Sequence, residues 1–227
     1  LSIRIYSVKI FEQYIFLSLE KVKPEQESQV RICFVGESFV NGTGDSECLG
    51  WTGRICVDAN KRGYDITYYN LGVRRETTEE LKQRWRNEVT YRLPSDCNGR
   101  VVFSFGVNDT VIINGKMRVS LLNSIFNVRQ ILREAKELYP VLMVGPPPML
   151  DNDQNTRIAE LSKYFARICR ELNIPYLDVF SVLKQSNIWF EEVQAYDKAH
   201  PRARGYQIFA DIVQNWDAWL NWLPHRP

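Results

Sequence analysis

From residue 30 onward the chain alternates between short apolar runs and longer amphipathic stretches, and this alternation restricts the possible folds more than any other feature. The β-rich runs are RICFVG (31–36), DITYYN (65–70), RVVFSF (100–105), VLMVG (141–145) and IPYLDV (174–179). Most are apolar at consecutive positions, a pattern required of strands whose sheet is covered on both faces. Helical patterns lie between them, clearest at Thr77–Tyr91, Val119–Tyr139, Asn155–Leu172 and Ala203–Leu220. In the second, Leu122, Ile125, Val128, Ile131, Leu132 and Leu138 recur at helical spacing. Strands alternating with helices predict right-handed crossovers and an α/β fold, a three-layer α/β/α sandwich. No repeat or linker divides the chain, so residues 30–227 read as one domain. Open parallel sheets take ligands beyond the carboxyl ends of their strands. The loops GESFVNGTGD, LGVRRET, GVNDT and GPPPM all fall there, and are expected to meet at one crevice.

Charge and cysteine content restrict the partners. Against 27 Asp and Glu stand 29 Lys and Arg, a net charge of +2 that gives no reason to expect nucleic acid. Arg74, Arg75, Arg84 and Arg86 are interleaved with glutamates and read as a solvated helix face. The five cysteines (Cys33, Cys48, Cys56, Cys97 and Cys169) are odd in number and form no C-x-x-C pair, which argues against a disulfide framework or a zinc site. Cys33 lies in an apolar run and reads as a small core hydrophobe. Residues 1–29 are interrupted by Lys9, Glu12 and Gln13 and carry no small-residue cleavage site. They fit neither a secretory signal nor a membrane span, and are expected to form an extension, helical or disordered, on a cytoplasmic protein with reduced thiols. Nothing in the sequence specifies an oligomeric state.

Only two histidines are present, which shortens the search for a general base. His225 lies close to the last residue, between Pro224 and Pro227, and reads as a surface position. His200 lies in YDKAHPRARGY, three residues after Asp197. A carboxylate at that spacing can accept the ring Nδ1–H, fix the tautomer and stabilise the imidazolium. Each part also has a structural explanation. Asp197 can cap a turn, Ser38 can cap a helix after Gly36, and Asn108 can be a left-handed turn former with Asp109 as a cap. Gly36-Glu37-Ser38 fits neither the nucleophile elbow G-x-S-x-G, because position 40 is Val, nor a phosphate loop. The combination is more telling than its parts. A serine after the first strand, an Asn amide after the third and a late Asp-x-x-His together supply what acyl transfer needs.

These blocks resemble those of the GDSL, or SGNH, hydrolases (esterases and lipases). They appear here as Gly36-Glu37-Ser38, Asn70-Leu71-Gly72, Gly106-Val107-Asn108-Asp109 and Asp197-Lys198-Ala199-His200-Pro201, in the family's order across roughly residues 30–222. The resemblance implies a flavodoxin-like five-stranded parallel sheet and a Ser38–His200–Asp197 triad. It implies an oxyanion hole formed by the Ser38 N–H, a loop N–H after the second strand and the Asn108 side chain. It implies a small-molecule acyl ester as substrate, and no metal or organic cofactor.

Two positions depart from the family's pattern. Glu37 stands where Asp is usual, and is expected to support the site through hydrogen bonds rather than to react. In NLGVRRETT, Arg75 aligns with a glycine whose N–H serves the oxyanion. That donor survives only if Arg75 reaches the required dihedrals, with Gly72 as the nearby alternative. The Arg75 guanidinium is free to pair with Glu37, Glu76 or an anionic substrate group, or to remain in solvent. Pro146–Pro148 are expected to stiffen the loop after the fourth strand. Trp216, Trp219 and Trp222 form a helical stripe with Ile208 and Ile212, read as core packing. The sequence points to a serine hydrolase cleaving an ester, thioester or O-acyl bond. An acyltransferase of the same fold and a non-catalytic ligand-binding module are the alternatives.

Overall fold

The computed structural model describes residues 29–223. Strand β1 (Gln29–Gly36) pairs in parallel with β2 (Asp65–Gly72) on one side and β3 (Asn98–Ser104) on the other. A hairpin of β4 (Ile112–Ile113) and β5 (Lys116–Met117) stands apart from this sheet. Strands β6 (Val141–Val144) and β7 (Tyr176–Leu177) complete a five-stranded parallel sheet in the order β2-β1-β3-β6-β7. This is the doubly wound, flavodoxin-like order, and its direction of winding reverses at β1. The crevice therefore opens between the carboxyl ends of β1 and β3, and GESFVNGTGD and GVNDT leave the sheet there.

The helices, in chain order, are α1 (Ser38–Asn41), α2 (Gly50–Lys61), α3 (Thr78–Arg92), α4 (Leu121–Leu138), α5 (Asn152–Glu171), α6 (Phe180–Leu183), α7 (Asn187–Ala195), α8 (Ala203–Gln214) and α9 (Asp217–Leu220). The unbroken apolar character of β1 follows from its two covered faces. Val30, Ile32 and Phe34 meet Trp51 and Ile55 of α2 and Phe209 of α8, while Cys33 and Val35 pack with Trp85 of α3 and Ile131 of α4. Every second residue must be apolar on each face, so the run is continuous. Cys33 is fully buried, and burial pushes its thiol up to about 12, in keeping with a core hydrophobe.

Several boundaries differ from expectation for local reasons. Gln29, assigned to the extension, begins β1 opposite Asp65. The fifth strand shrinks to Tyr176–Leu177 because only its middle meets β6. The helix expected over Ala203–Leu220 breaks at Asn215 and Trp216, and Trp216 has extended backbone before α9. The tryptophans still serve the core: Trp219 is fully buried, with Trp216 and Trp222 packed against the same cluster. Pro146–Pro148 are buried, and the Pro148 carbonyl accepts the Trp189 indole N–H at 3.0 Å. Residues 1–28 and His225 lie outside the described residues. Among the described residues no helix is long and apolar enough to cross a membrane.

Candidate active site

Ser38 leaves β1 as the first residue of α1 and is 4% exposed. The capping position belongs to Glu37, so the reading of Ser38 as a cap does not hold. Its side chain faces a residue 162 positions away, with Ser38 Oγ 2.7 Å from His200 Nε2. The other ring nitrogen, His200 Nδ1, lies 2.7 Å from Asp197 Oδ2. Asp197 Oδ1 accepts the backbone N–H groups of Ala199 (3.0 Å) and His200 (2.7 Å). The carboxylate thus closes its own turn and orients the ring, so the two interpretations of Asp-x-x-His coexist in one side chain. Lys198, between them, takes a positive φ of 65° to let the turn close.

This geometry selects one tautomer. Acceptance by Asp197 places the proton on Nδ1 and leaves the Nε2 lone pair toward the Ser38 hydroxyl. Burial lowers the His200 pKa below the ordinary imidazole value, Asp197 opposes that shift, and Arg74 adds to it. Burial alone would raise the Asp197 carboxyl, but the His200 ring and the N–H groups of His200 and Ala199 hold it below the usual carboxylate range. The Phe39 ring packs against the imidazole at a centroid distance of 5.0 Å, and Phe39 stacks in turn on Trp189.

Asn108 begins a short 3-10 helix (Asn108–Thr110) after β3 and is not a left-handed turn former. Glu37, 1% exposed, accepts from Val107 N (3.1 Å), Asn108 N (3.2 Å) and Asn108 Nδ2 (2.5 Å). Burial pushes the Glu37 carboxyl up to about 8, although these three donors oppose it. With its NH2 end on this carboxyl, the Asn108 amide spends one N–H there and keeps a second. Asp109 lies one layer behind, accepting from Thr78 N, Thr78 Oγ1 and Ser124 Oγ. It ties the Asn108 turn to the starts of α3 and α4.

In the loop after β2 the N–H groups of Gly72 and Arg75 differ in their partners. The Gly72 N–H donates to Asn70 Oδ1 at 2.9 Å, while Asn70 Nδ2 reaches the Val40 carbonyl at 2.8 Å. Gly72 is instead a close-approach position. A Cβ there would lie 2.2 Å from Asn41 N and 2.8 Å from Glu37 O. Arg75 has φ +67°, a glycine-like conformation, and its N–H donates to no group among the described residues. The Ser38 N–H is likewise without an acceptor among the described residues. The loop is tied to the end of β1 by Val73 N to Gly36 O at 2.9 Å, and Arg74 Nη2 lies 3.4 Å from Asp197 Oδ2.

The pairings open to Arg75 in the sequence are made otherwise. Glu76 pairs with Arg84, and Glu37 with Asn108, so the exposed Arg75 guanidinium has no partner among the described residues. Arg84 was expected on a solvated face. It is instead half-buried, donating to the Gly36 and Leu71 carbonyls and to both Glu76 oxygens. The sequence reading also missed α2, α7 and the β4–β5 hairpin. Gly50 and Gly53 open α2, and the two-residue strands of the hairpin give no measurable periodicity.

Similarity to known proteins agrees with this architecture. The lipase/acylhydrolase of Enterococcus faecalis superposes with a TM-score of 0.69 at 22% identity, covering 82% of this chain and 94% of that one. Axe2, an acetylxylan esterase from Geobacillus stearothermophilus, gives a TM-score of 0.69 at 18% identity, over 88% and 100% of the two chains. LAE5, an alpha/beta hydrolase enzyme from the metagenome of Lake Arreo, gives 0.70 at 15% identity over the same shares. No curated protein matches the chain by sequence. At these identities the structural likeness establishes the fold. Residues 34–208, more than half of the chain and all the clustered blocks, match the GDSL-like Lipase/Acylhydrolase family, and the chain belongs to that family.

Proposed function

We propose that the protein is a serine hydrolase that cleaves an ester, thioester or O-acyl bond through an acyl-enzyme intermediate. The observation that carries this reading is the His200 ring, 2.7 Å from Ser38 Oγ on one side and 2.7 Å from Asp197 on the other. Ser38 Oγ attacks the acyl carbon as His200 Nε2 takes its proton, and Asp197 stabilises the resulting imidazolium. The carbonyl oxygen becomes an oxyanion, held by the N–H groups of Ser38 and Arg75 and the second N–H of Asn108 Nδ2. As the tetrahedral intermediate collapses, His200 returns its proton to the leaving alcohol or thiol. Water then attacks the acyl-enzyme with His200 again as base. A water-derived proton passes through the ring to Ser38, and the carboxylic acid departs.

Chromogenic esters of graded acyl length test the proposal. Wild-type protein is expected to turn over the shorter ones and to be labelled at Ser38 by an organophosphonate. Ser38→Ala should abolish both while leaving thermal stability close to wild type. Full activity in Ser38→Ala would refute the triad. An organophosphonate-silent Ser38 with no turnover of any ester would instead support a ligand-binding module.

A further inference from the structure

Arg75 occupies a conformation its side chain disfavours, and the turn around it explains how. Glu76 N donates to Val73 O at 3.3 Å, closing a four-residue turn over Val73–Glu76. Its third residue has φ +67°, whereas Arg74 is not among the residues with positive φ. That combination is a type II turn, whose third position normally requires glycine. For an L-residue such as Arg, the left-handed region is disfavoured by a factor of about 5–30 relative to the ordinary conformation. A type I turn would close the same hydrogen bond without this cost. The two types differ by inversion of the central peptide, which is the peptide that carries the Arg75 N–H. The turn type therefore decides which way that N–H points.

We propose that Arg118 is a positioning residue that holds this turn in its type II form. Its Nη1 donates to the Arg75 carbonyl at 2.7 Å, immediately after the strained φ. Arg118 is itself anchored by Arg118 N to Val111 O (2.9 Å) and Val119 N to Asp109 O (3.2 Å), where the β4–β5 hairpin returns to the Asn108 turn. Its Nη2 lies 3.6 Å from Glu80 on the first turn of α3. On the other flank, Val73 N is bound to Gly36 O and Glu76 to Arg84. Arg118 thus joins two loops that are far apart in sequence, one bearing Asn108 and the other the Arg75 N–H. In its absence the turn relaxes to type I and takes the N–H away from the site. The inference rests on the proposed hydrolase reading, in which that N–H receives the oxyanion.

The test is a double-mutant cycle between Arg118→Gln and Arg75→Gly in the full chain, using a short-chain chromogenic ester. Arg118→Gln is expected to lower kcat about 5- to 30-fold, matching the population shift, with KM within about twofold and a small change in Tm. Labelling of Ser38 by an organophosphonate should slow by a similar factor. With glycine at position 75 the left-handed conformation carries no steric cost, so Arg118→Gln should then cost less than about threefold. Equal losses in both backgrounds would overturn the proposal, and so would an undiminished kcat in Arg118→Gln. The Arg75 amide resonance reports the turn without catalysis. It should shift in Arg118→Gln, and an unchanged resonance also overturns the proposal. Wild-type turnover that Ser38→Ala does not remove would sink the hydrolase reading alone.

Discussion

Replacing Glu37 with Gln should trade activity for stability, in proportion to pH. The wild-type carboxyl is 1% exposed and pushed up to about 8 by burial. Its ordinary value is about 4.3, so between that pH and about 8 the folded state binds more protons than the unfolded state. Stability is therefore greatest below the unfolded value and is lost as pH rises through this window, at up to about 1.4 kcal/mol per pH unit. Gln does not titrate. Near pH 5 it resembles the protonated carboxyl in shape and in having one acceptor oxygen. The two proteins should then differ by only about 1 kcal/mol, the worth of one hydrogen bond. By pH 9 the variant should be the more stable by a few kcal/mol, since the wild type must carry a buried charge.

Activity should move the other way. Above about pH 8 the ionised Glu37 carboxylate accepts from three N–H groups with two oxygens, whereas Gln presents one oxygen and an NH2. Either Val107 N or the Asn108 pair then faces a donor, and the Asn108 amide is no longer held with its NH2 end inward. At pH 9 we expect kcat to fall roughly tenfold or more, short of the 100- to 1000-fold expected for complete loss of an oxyanion donor, and at pH 5 to change far less. Urea titrations of both proteins at pH 5, 7 and 9, with kcat for one ester, measure both effects. Parallel stability curves would refute the reasoning, because Glu37 would then titrate alike in the folded and unfolded chains. Unchanged kcat would remove its role in orienting Asn108.

Three other perturbations read different parts of the site. Because burial lowers His200, the acid limb of the kcat/KM profile should lie below the ordinary imidazole pKa, with activity lost as pH falls through it; a limb above pH 7 would count against His200 as base. Gly72→Ala places a Cβ 2.2 Å from Asn41 N, so it should cost at least about 1–3 kcal/mol in thermal unfolding and lower kcat by shifting α1. Arg84→Met leaves Glu76 buried without its cation, and should destabilise by about 3–5 kcal/mol in urea titration at neutral pH. A surface-like effect under 0.5 kcal/mol would return Arg84 to the solvated face suggested by its sequence neighbours.

Parts of the structure were legible in the sequence because their signals are local and repeated. The β1, β3 and β6 runs are apolar on both faces, and α4 and α5 repeat over 18 and 20 residues. The block order placed Ser38, Asn108, Asp197 and His200 near one crevice, and the structure brings Ser38, His200 and Asp197 into direct contact. Features carried by tertiary contacts were not legible. Arg84 looks like any charged helix residue until β1 and β2 end beside it with carbonyls turned its way. Gly72 and Arg75 look interchangeable as N–H donors, and what separates them is that Asn70 already accepts from Gly72. The break at Trp216 has no Gly or Pro to mark it, and Trp219 on the short helix that follows is fully buried.

Glu37 and Arg75 are related in physical terms. Each stands where the family's pattern has a smaller residue, and each places a costly group near Ser38: a buried carboxyl in one case, a left-handed arginine in the other. Neither cost is offset within its own loop. Glu37 depends on N–H groups 70 and 71 positions away, and Arg75 depends on a guanidinium 43 positions away. Both tethers end on the segment from Val107 to Arg118, which contains Asn108 and the β4–β5 hairpin. Local strain persists only where surrounding structure over-determines it. The segment after β3 therefore does more than present Asn108. It fixes the residue before Ser38 from one end and the Arg75 turn from the other, so the candidate oxyanion donors form one mechanical unit. Substitutions at Glu37 and Arg118 should then be non-additive in kcat, and strict additivity would mean that the two tethers act independently.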